Sequence, residues 1–299
     1  MSTNSELFFS MLKNIHSYRM NRDMIGHTIK RDLTLSREDV DAYVEATNDN
    51  PERYEKSDCP LPGFFTSKFL YPLYHYFLTH PDLHVNLLKM VHGEQEAVFH
   101  KPLTIGSGID TEMFIKDIED SPAGECLIIG TRGYSLGAIA QEGTSTFIVR
   151  KGSAGKKAGT HDIMGDKPAE LFRTSFKTEK GQQMKYARVS GDRNFMHTSP
   201  FLAKLSGLPG VIMHGMTNFG LITRMITDWC CPLAAIHRRL ETRWLKPVRL
   251  GDTIAPSGVV TAKHTTAASR WVMIDVTVCS RDGEQVARGE AMVEFPPSA

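Results

Sequence analysis

The sequence predicts an α+β fold built twice, each unit an antiparallel sheet wrapped around one central helix. Two observations carry this. The first is an internal repeat: VHGEQEAVFHKPLTIGSGI (91–109) lies over IHRRLETRWLKPVRLGDTI (236–254), so that His92 falls on His237, Glu96 on Glu241, Lys101-Pro102 on Lys246-Pro247 and Gly106 on Gly251. Tyr43 and Asp49 fall likewise on Tyr186 and Asp192, and Pro62-Gly63 on Pro209-Gly210. Three segments matching in order argue for a duplicated unit of roughly 130 residues. The second is the order of periodicities within each copy, where a short strand and a helical stretch precede a run of strands.

In the first copy, HTIKRDLTL reads as the opening strand, and GIDTEMFIKDIE, ECLIIGTRGYS and TSTFIVRK as the later ones. In the second copy, RTSFKT opens the unit. Ser199-Pro200 reads as an N-cap followed by Pro at the first helical position, with Gly207 stopping that short helix. After Gly215, residues Met216, Phe219, Ile222, Met225, Ile226 and Trp229 recur at helical spacing, which predicts a long buried helix. The strands DTIAPSGVVTAKHT, SRWVMIDVTVCSRDGEQ and QVARGEAMVEF follow, with Asp282-Gly283 as a hairpin turn. Between the copies, KGSAGKKAGTHDIMGDKPAE lacks apolar periodicity and reads as a linker. The expected division is residues 1–150, a linker at 151–170, and residues 171–299.

Composition excludes several function classes. The chain has 299 residues, 41% hydrophobic, with Lys+Arg 35 against Asp+Glu 34, so no global field draws it to nucleic acid. Five cysteines, Cys59, Cys126, Cys230, Cys231 and Cys279, show no CxxC spacing and point to a reducing compartment. No apolar run approaches the ~18 residues of a membrane span. The first 23 residues lack a secretory pattern and read as an amphipathic docking helix; a weak presequence is the alternative. The C-terminal PPSA is not a peroxisomal tripeptide. The expected compartment is therefore the cytoplasm, with the mitochondrial matrix as alternative.

The stretch SGDRNFMH (190–197) gathers Asp192, Asn194 and His197 in one loop. It is either a plain turn with an incidental His, or a pair of proton-handling groups held at fixed geometry. Asp192, His197 and His214 are also possible metal ligands, but the sequence carries no metal-site motif around them. The twelfth position from Asp192 is Ala203 rather than the Glu of a calcium loop, and HExxH and CxxC are absent. There is no GxGxxG or P-loop.

YARVSGDRNFMHTSPFLAKLSG resembles the signature of the MaoC-like, (R)-specific enoyl-CoA hydratases, with Tyr186, Gly191, Asp192, Asn194, His197 and Ala203 fitting it. PGVIMHGMTNFG and RWLKPVRLGDTI resemble the two segments that follow in that family. The resemblance implies a double hotdog fold in which the second unit keeps the catalytic residues. It further implies hydration of a trans-2-enoyl-CoA to an (R)-3-hydroxyacyl-CoA, or the reverse. Asp192 and His197 would be the joint acid/base pair, and Gly215, at the start of the central helix, the oxyanion donor; Asn194, counted with these catalytic residues, either anchors the loop or orients the carboxylate through its amide. The implied cofactor is none beyond the CoA of the acyl-CoA thioester, and a homodimer fits the fold class. The departure from the family is Phe195-Met196 where it has Pro and an aliphatic residue. These two residues are expected to shape the acyl pocket.

His214 either lines the pocket or packs structurally. Lys246 and Arg249 either meet CoA phosphates or are solvated strand-end charges. The repeated His92 and His237 are assigned to packing. The first copy keeps Asp49, but Arg53, Tyr54 and Glu55 stand where a His is needed, and Phe65-Thr66 replaces the His-Gly pair. That half is expected to be inactive and to accommodate the acyl tail. A hotdog thioesterase and a non-catalytic acyl-CoA-binding subunit are the alternative functions.

Overall fold

The computed structural model describes residues 3–17, 19–56, 60–61, 67–151, 171–230, 235–266 and 268–295. The expected linker, apart from residue 151, and the Phe65-Thr66 motif lie outside these residues. The first half runs α1 (Thr3–Asn14), β1 (Thr28–Thr34), α2 (Arg37–Thr47), α3 (Ser67–Thr79), β2 (Met90–Phe99), β3 (Gly108–Asp120), β4 (Gly124–Ser135) and β5 (Ala138–Arg150). The second runs β6 (Leu171–Arg173), β7 (Phe176–Lys177), α4 (Gln182–Ser190), α5 (Phe195–Thr198), α6 (Pro200–Leu205), α7 (Gly215–Cys230), β8 (Ile236–Trp244), β9 (Thr253–Thr265), β10 (Arg270–Ser280) and β11 (Gln285–Phe295).

Among the described residues the strands form one 11-stranded sheet in the order β1-β3-β4-β5-β2-β8-β11-β10-β9-β6, with β7 also on β9. Each half supplies the same internal order, and the halves meet where β2 pairs with β8. In that pairing Glu96 faces Glu241, and Glu94 faces Arg243. Glu96 and Glu241 are also equivalent positions of the sequence repeat, so the local two-fold relation between the halves passes through this pair. The repeat is therefore isologous across the seam, like the interface of a two-fold dimer.

Local chemistry explains the elements. Ser36 caps α2 in a reciprocal box with Asp39, and Asn48 ends it in the left-handed region at φ 50°. Ser199 caps α6 with Pro200 at its first position, as the sequence predicts. On β10, Val272, Ile274, Val276 and Val278 alternate inward onto α7. Helix α7 buries Met216, Phe219, Leu221, Ile222, Met225 and Ile226, which places apolar groups around most of its circumference. A helix apolar nearly all round belongs inside a sheet rather than on top of one. Helix α1 packs on α3 through Met11, leaving Phe8, Phe9 and Leu12 outward.

Along the seam, Glu96, Glu241, Glu290 and Asp275 stand in register across β2, β8, β11 and β10. Arg239 relieves this acidic row. Its Nε donates to Glu96 at 2.7 Å and its Nη2 donates to Glu241. Burial, then the neighbouring Glu290, holds the Asp275 carboxyl above its usual range.

The repeated histidines differ in surroundings. On β8, His237 Nε2 lies 2.9 Å from the Thr227 hydroxyl, which itself donates to the Thr223 carbonyl, so the imidazole is the donor. Burial pushes this ring down to about 4. On β2, His92 packs between Phe147 and Trp244, with ring centroids 4.4 and 4.5 Å away.

Replacing Arg239 with Ala is expected to lower stability by about 1 kcal/mol, because like charges then oppose one another across the seam. Urea unfolding of Arg239→Ala, alone and with Glu241→Gln, measures it; the second substitution should restore part of the loss. The folded state holds His237 neutral while the unfolded chain titrates near 6.5, so folding releases protons. Stability is therefore full above about pH 6.5 and falls as pH drops toward 4. His237→Gln should flatten the decline of Tm with pH over that window, and an unchanged slope would refute the assignment.

Candidate active site

The Asp192 loop is a ladder of side-chain-to-backbone hydrogen bonds. Helix α4 ends at Gly191, whose φ of 80° suits glycine. The Ser190 hydroxyl accepts from Asp192 N at 3.1 Å, Asp192 Oδ1 accepts from Asn194 N at 3.1 Å, and Asn194 Oδ1 accepts from Met196 N at 3.1 Å. Each rung spans two residues, the geometry short polar side chains adopt in Asx and ST turns. Asn194 is the N-cap of α5, and α5 carries His197. The turn and the Asp192–His197 pair are thus one object, since the turn chemistry fixes the spacing between carboxylate and imidazole.

His197 and His214 lie behind that ladder. His197 Nδ1 is 2.9 Å from the Ile212 carbonyl, which can only accept. That bond leaves the lone pair of the neutral ring on Nε2. His214 Nε2 likewise donates to the Asp192 carbonyl at 3.0 Å, and the two rings stack with centroids 3.8 Å apart at 26°. Burial, then the His197 charge, pushes His214 down to about 3, so it is a neutral ring. Its Nδ1 is buried with no hydrogen-bond partner among the described residues. Nitrogen and oxygen atoms of Asp192, His197 and His214 lie within 4.8 Å of one another. Stacked imidazoles, however, project their lone pairs in nearly parallel planes, a poor match to the convergent set of a tetrahedral metal.

Asp192 and His197 open onto a cleft of about 770 Å³. Gly215, the first residue of α7, lines it too, and the first N–H groups of a helix have no intrahelical partner. Trp244 holds this helix end. Its Nε1 donates to the Gly215 carbonyl at 2.8 Å, and its indole is so close that a Cβ on Gly215 would lie 3.0 Å from it. The opposite wall comes from the first half: Leu7 of α1, Tyr71 and Tyr74 of α3, Met90 and His92 of β2, and Phe147 of β5.

Residues 165–280 match the family described as the MaoC like domain, and residues 23–136 match the FAS1-like, dehydratase domain region. The chain is 28% identical over 179 residues to the 3-hydroxyacyl-thioester dehydratase Y of Mycobacterium tuberculosis, covering 57% of this chain and 61% of that protein. It is 29% identical over 182 residues to the peroxisomal multifunctional enzyme type 2 of Mus musculus, covering 58% of this chain and 24% of that protein. The matched segments thus span less than two thirds of these relatives. Among solved structures, a MaoC-like dehydratase superposes with a TM-score of 0.75 at 18% identity, over 92% of this chain and 99% of that one. A Mycobacterium tuberculosis protein described as having a double hotdog fold superposes at 0.65 with 13% identity, over 91% and 96%. The fold is a double hotdog.

Within the segment 165–280 the remaining expected site residues separate. Met196 lines the cleft, but Phe195 does not: it is buried with Met196 in the hydrophobic core of the first half, beside residues of α1, α3 and β3–β5. Burial of that size contributes about 2 kcal/mol per side chain, so this pair anchors the loop. His214 is not on the cleft wall and supports the pair from behind, because its donor is committed to the Asp192 carbonyl. Lys246 reaches the cleft and is paired with Glu284. Arg249 is exposed away from the cleft, its backbone tied to Ile212, Asp252 and Thr178. Sequence reasoning missed Tyr71 and the placement of His92 on the cleft wall. Neither lies near the Asp192 loop in the chain, and no local motif marks them.

The first-half counterpart of the Asp192 loop is closed by its own residues. Asp49 Oδ1 accepts from Asn50 N at 2.7 Å and from Arg53 Nη1 at 3.2 Å, and Asp49 Oδ2 accepts from the Tyr54 hydroxyl at 2.9 Å. Tyr54 follows Asp49 by the spacing at which His197 follows Asp192. An Arg and a phenol thus occupy the carboxylate that an imidazole would share with water.

Gly215→Ala is expected to cost about 1–3 kcal/mol, since its Cβ must displace the Trp244 indole or tilt α7. Denaturant unfolding followed by tryptophan fluorescence measures this; wild-type stability with an unmoved emission spectrum would contradict it.

Proposed function

We propose that this chain hydrates a trans-2-enoyl-CoA to the (R)-3-hydroxyacyl-CoA, or catalyses the reverse dehydration. The observation that carries the reading is the Asp192–His197 pair, held by the loop ladder and facing one cleft together with the first turn of α7. The relatives named as 3-hydroxyacyl-thioester dehydratase and enoyl-CoA hydratase 2 support the same class.

In this reading a water sits between the Asp192 carboxylate and His197 Nε2. Its hydroxyl adds to Cβ, a proton reaches Cα on the same face, and Asp192 and His197 together hold and move the protons. The electron pair of the double bond passes to the thioester oxygen as an enolate. Gly215 N–H at the α7 terminus receives that charge, assisted by the helix dipole. Asn194 holds the loop rather than transferring a proton, since its side-chain oxygen is committed to Met196 N. The acyl chain runs along the first-half wall of the cleft, past Tyr74, Met90 and Phe147. Lys246 borders the cleft and is kept as a partner for CoA phosphates, and Arg249, exposed away from it, is not assigned one. The reaction needs no metal or cofactor beyond the CoA of the substrate.

The units act as one catalytic and one degenerate hotdog, divided at 151–170, and a homodimer completes the reading. Among the described residues no helix is long and apolar enough to cross a membrane, and Cys126 and Cys279 are free thiols. These thiols support a reducing compartment, the cytoplasm or the mitochondrial matrix.

Asp192→Asn and His197→Ala are each expected to lower the hydration rate of crotonyl-CoA by about 100- to 10,000-fold while the fold persists. A chelator should leave the wild-type rate unchanged. Loss of enoyl absorbance gives the rate, and chiral analysis of the product tests the (R) outcome. Full activity in either variant sinks the assignment. Free thiol released from a saturated acyl-CoA would instead support a thioesterase, and tight binding without turnover a binding subunit.

A further inference from the structure

We propose that Tyr71, on the central helix of the inactive half, is a positioning residue for Asp192, so that the first half completes the reactive pair of the second. The inference rests on the hydratase reading for its catalytic consequence, while the contact itself is independent of it.

Three observations converge on this residue. Tyr71 lines the same cleft as Asp192 and His197, and its phenol is near enough to the Asp192 carboxylate to feel its charge and to donate to it. The next residue, Pro72, neighbours that loop: a Cβ built on Gly191 would lie 4.0 Å from the Pro72 ring. Tyr71 packs against both hydrophobic cores and sits edge-on to Tyr74, with ring centroids 5.5 Å apart, so it is supported from each half. Burial first, and the Asp192 charge second, hold the Tyr71 phenol well above its ordinary range; it is a neutral donor throughout the working pH range.

The Asp192 carboxylate has two oxygens to satisfy. Oδ1 is fixed by Asn194 N, a bond made inside the loop. Oδ2 lies 3.8 Å from His214 Nε2, whose proton is committed to the Asp192 carbonyl. A phenol donating from across the cleft fixes the carboxylate plane, which the loop alone leaves free to turn about its last torsion. Precise aim at a water matters more here than extra binding, because misplacement by an ångström is costly. The titratable groups facing Asp192 are Tyr71 on α3, His92 on β2, Tyr186 on α4, His197 on α5 and His214 before α7. Of these, His92 and His214 are neutral, at about 4 and about 3, pushed down chiefly by burial.

The test is Tyr71→Phe, which keeps the ring and its packing and removes the hydroxyl. Steady-state hydration of crotonyl-CoA should lose about 10- to 100-fold in kcat with KM within about two-fold, as expected for a hydrogen bond to a charged group. The acid limb of the kcat/KM profile should move to higher pH, because a donated hydrogen bond favours the ionised carboxylate. A packing role alone would lower Tm and leave that limb in place. In protein labelled with 13C at tyrosine Cζ, the resonance assigned to Tyr71 by its loss in Tyr71→Phe should move in Asp192→Asn. A Tyr71→Phe enzyme with wild-type kcat and acid limb, or a Tyr71 resonance indifferent to Asp192→Asn, overturns the proposal. A wild type inactive on every enoyl thioester, with the resonance still responding to Asp192→Asn, overturns the reaction assigned above and supports the contact.

Discussion

The β2–β8 seam is the constraint on which the rest depends. Two units of similar sequence share one sheet because the strand ending each unit's internal order is paired with its own equivalent, Glu96 against Glu241. Antiparallel pairing of equivalent strands satisfies two edges that would otherwise be open, and it sets the halves at a fixed angle. The same pairing places like charges face to face, which Arg239 offsets by reaching both. Once the seam is set, α3 and the start of α7 lie on either side of one cleft.

That cleft divides labour between the halves. The second half supplies a loop in which Ser190, Asp192 and Asn194 each hold the backbone two residues ahead. The short helix that follows aims His197 at the carboxylate. The first half supplies the apolar wall and the core into which Phe195 and Met196 insert. Its own loop has turned its carboxylate inward to Arg53 and Tyr54. One duplication has thus yielded a loop held by its neighbour's core and another that is internally neutralised.

His214 illustrates how support differs from participation. A buried neutral ring stacked on His197 and donating to the Asp192 carbonyl sets the position of both partners without bordering the cleft. Trp244 acts similarly on the start of α7, and its close approach explains why that position is glycine.

Much of this was legible in the chain. The repeat with its equivalent positions, the strand alternation of β10, the Ser199-Pro200 cap and the apolar spacing of α7 are local patterns, set by backbone periodicity and hydrogen-bonding propensity that act over a few residues. The Asp192 loop was legible for the same reason, since its ladder connects residues two apart. Tertiary structure alone decided that equivalent strands pair across a seam, that Phe195 leaves the cleft for the other half's core, that His214 stands behind the pair and Arg249 away from it, and that Tyr71 faces Asp192. Each of these joins residues far apart in sequence, and no local propensity encodes which distant surfaces meet; burial of two shared cores and the register of one strand pair determine it.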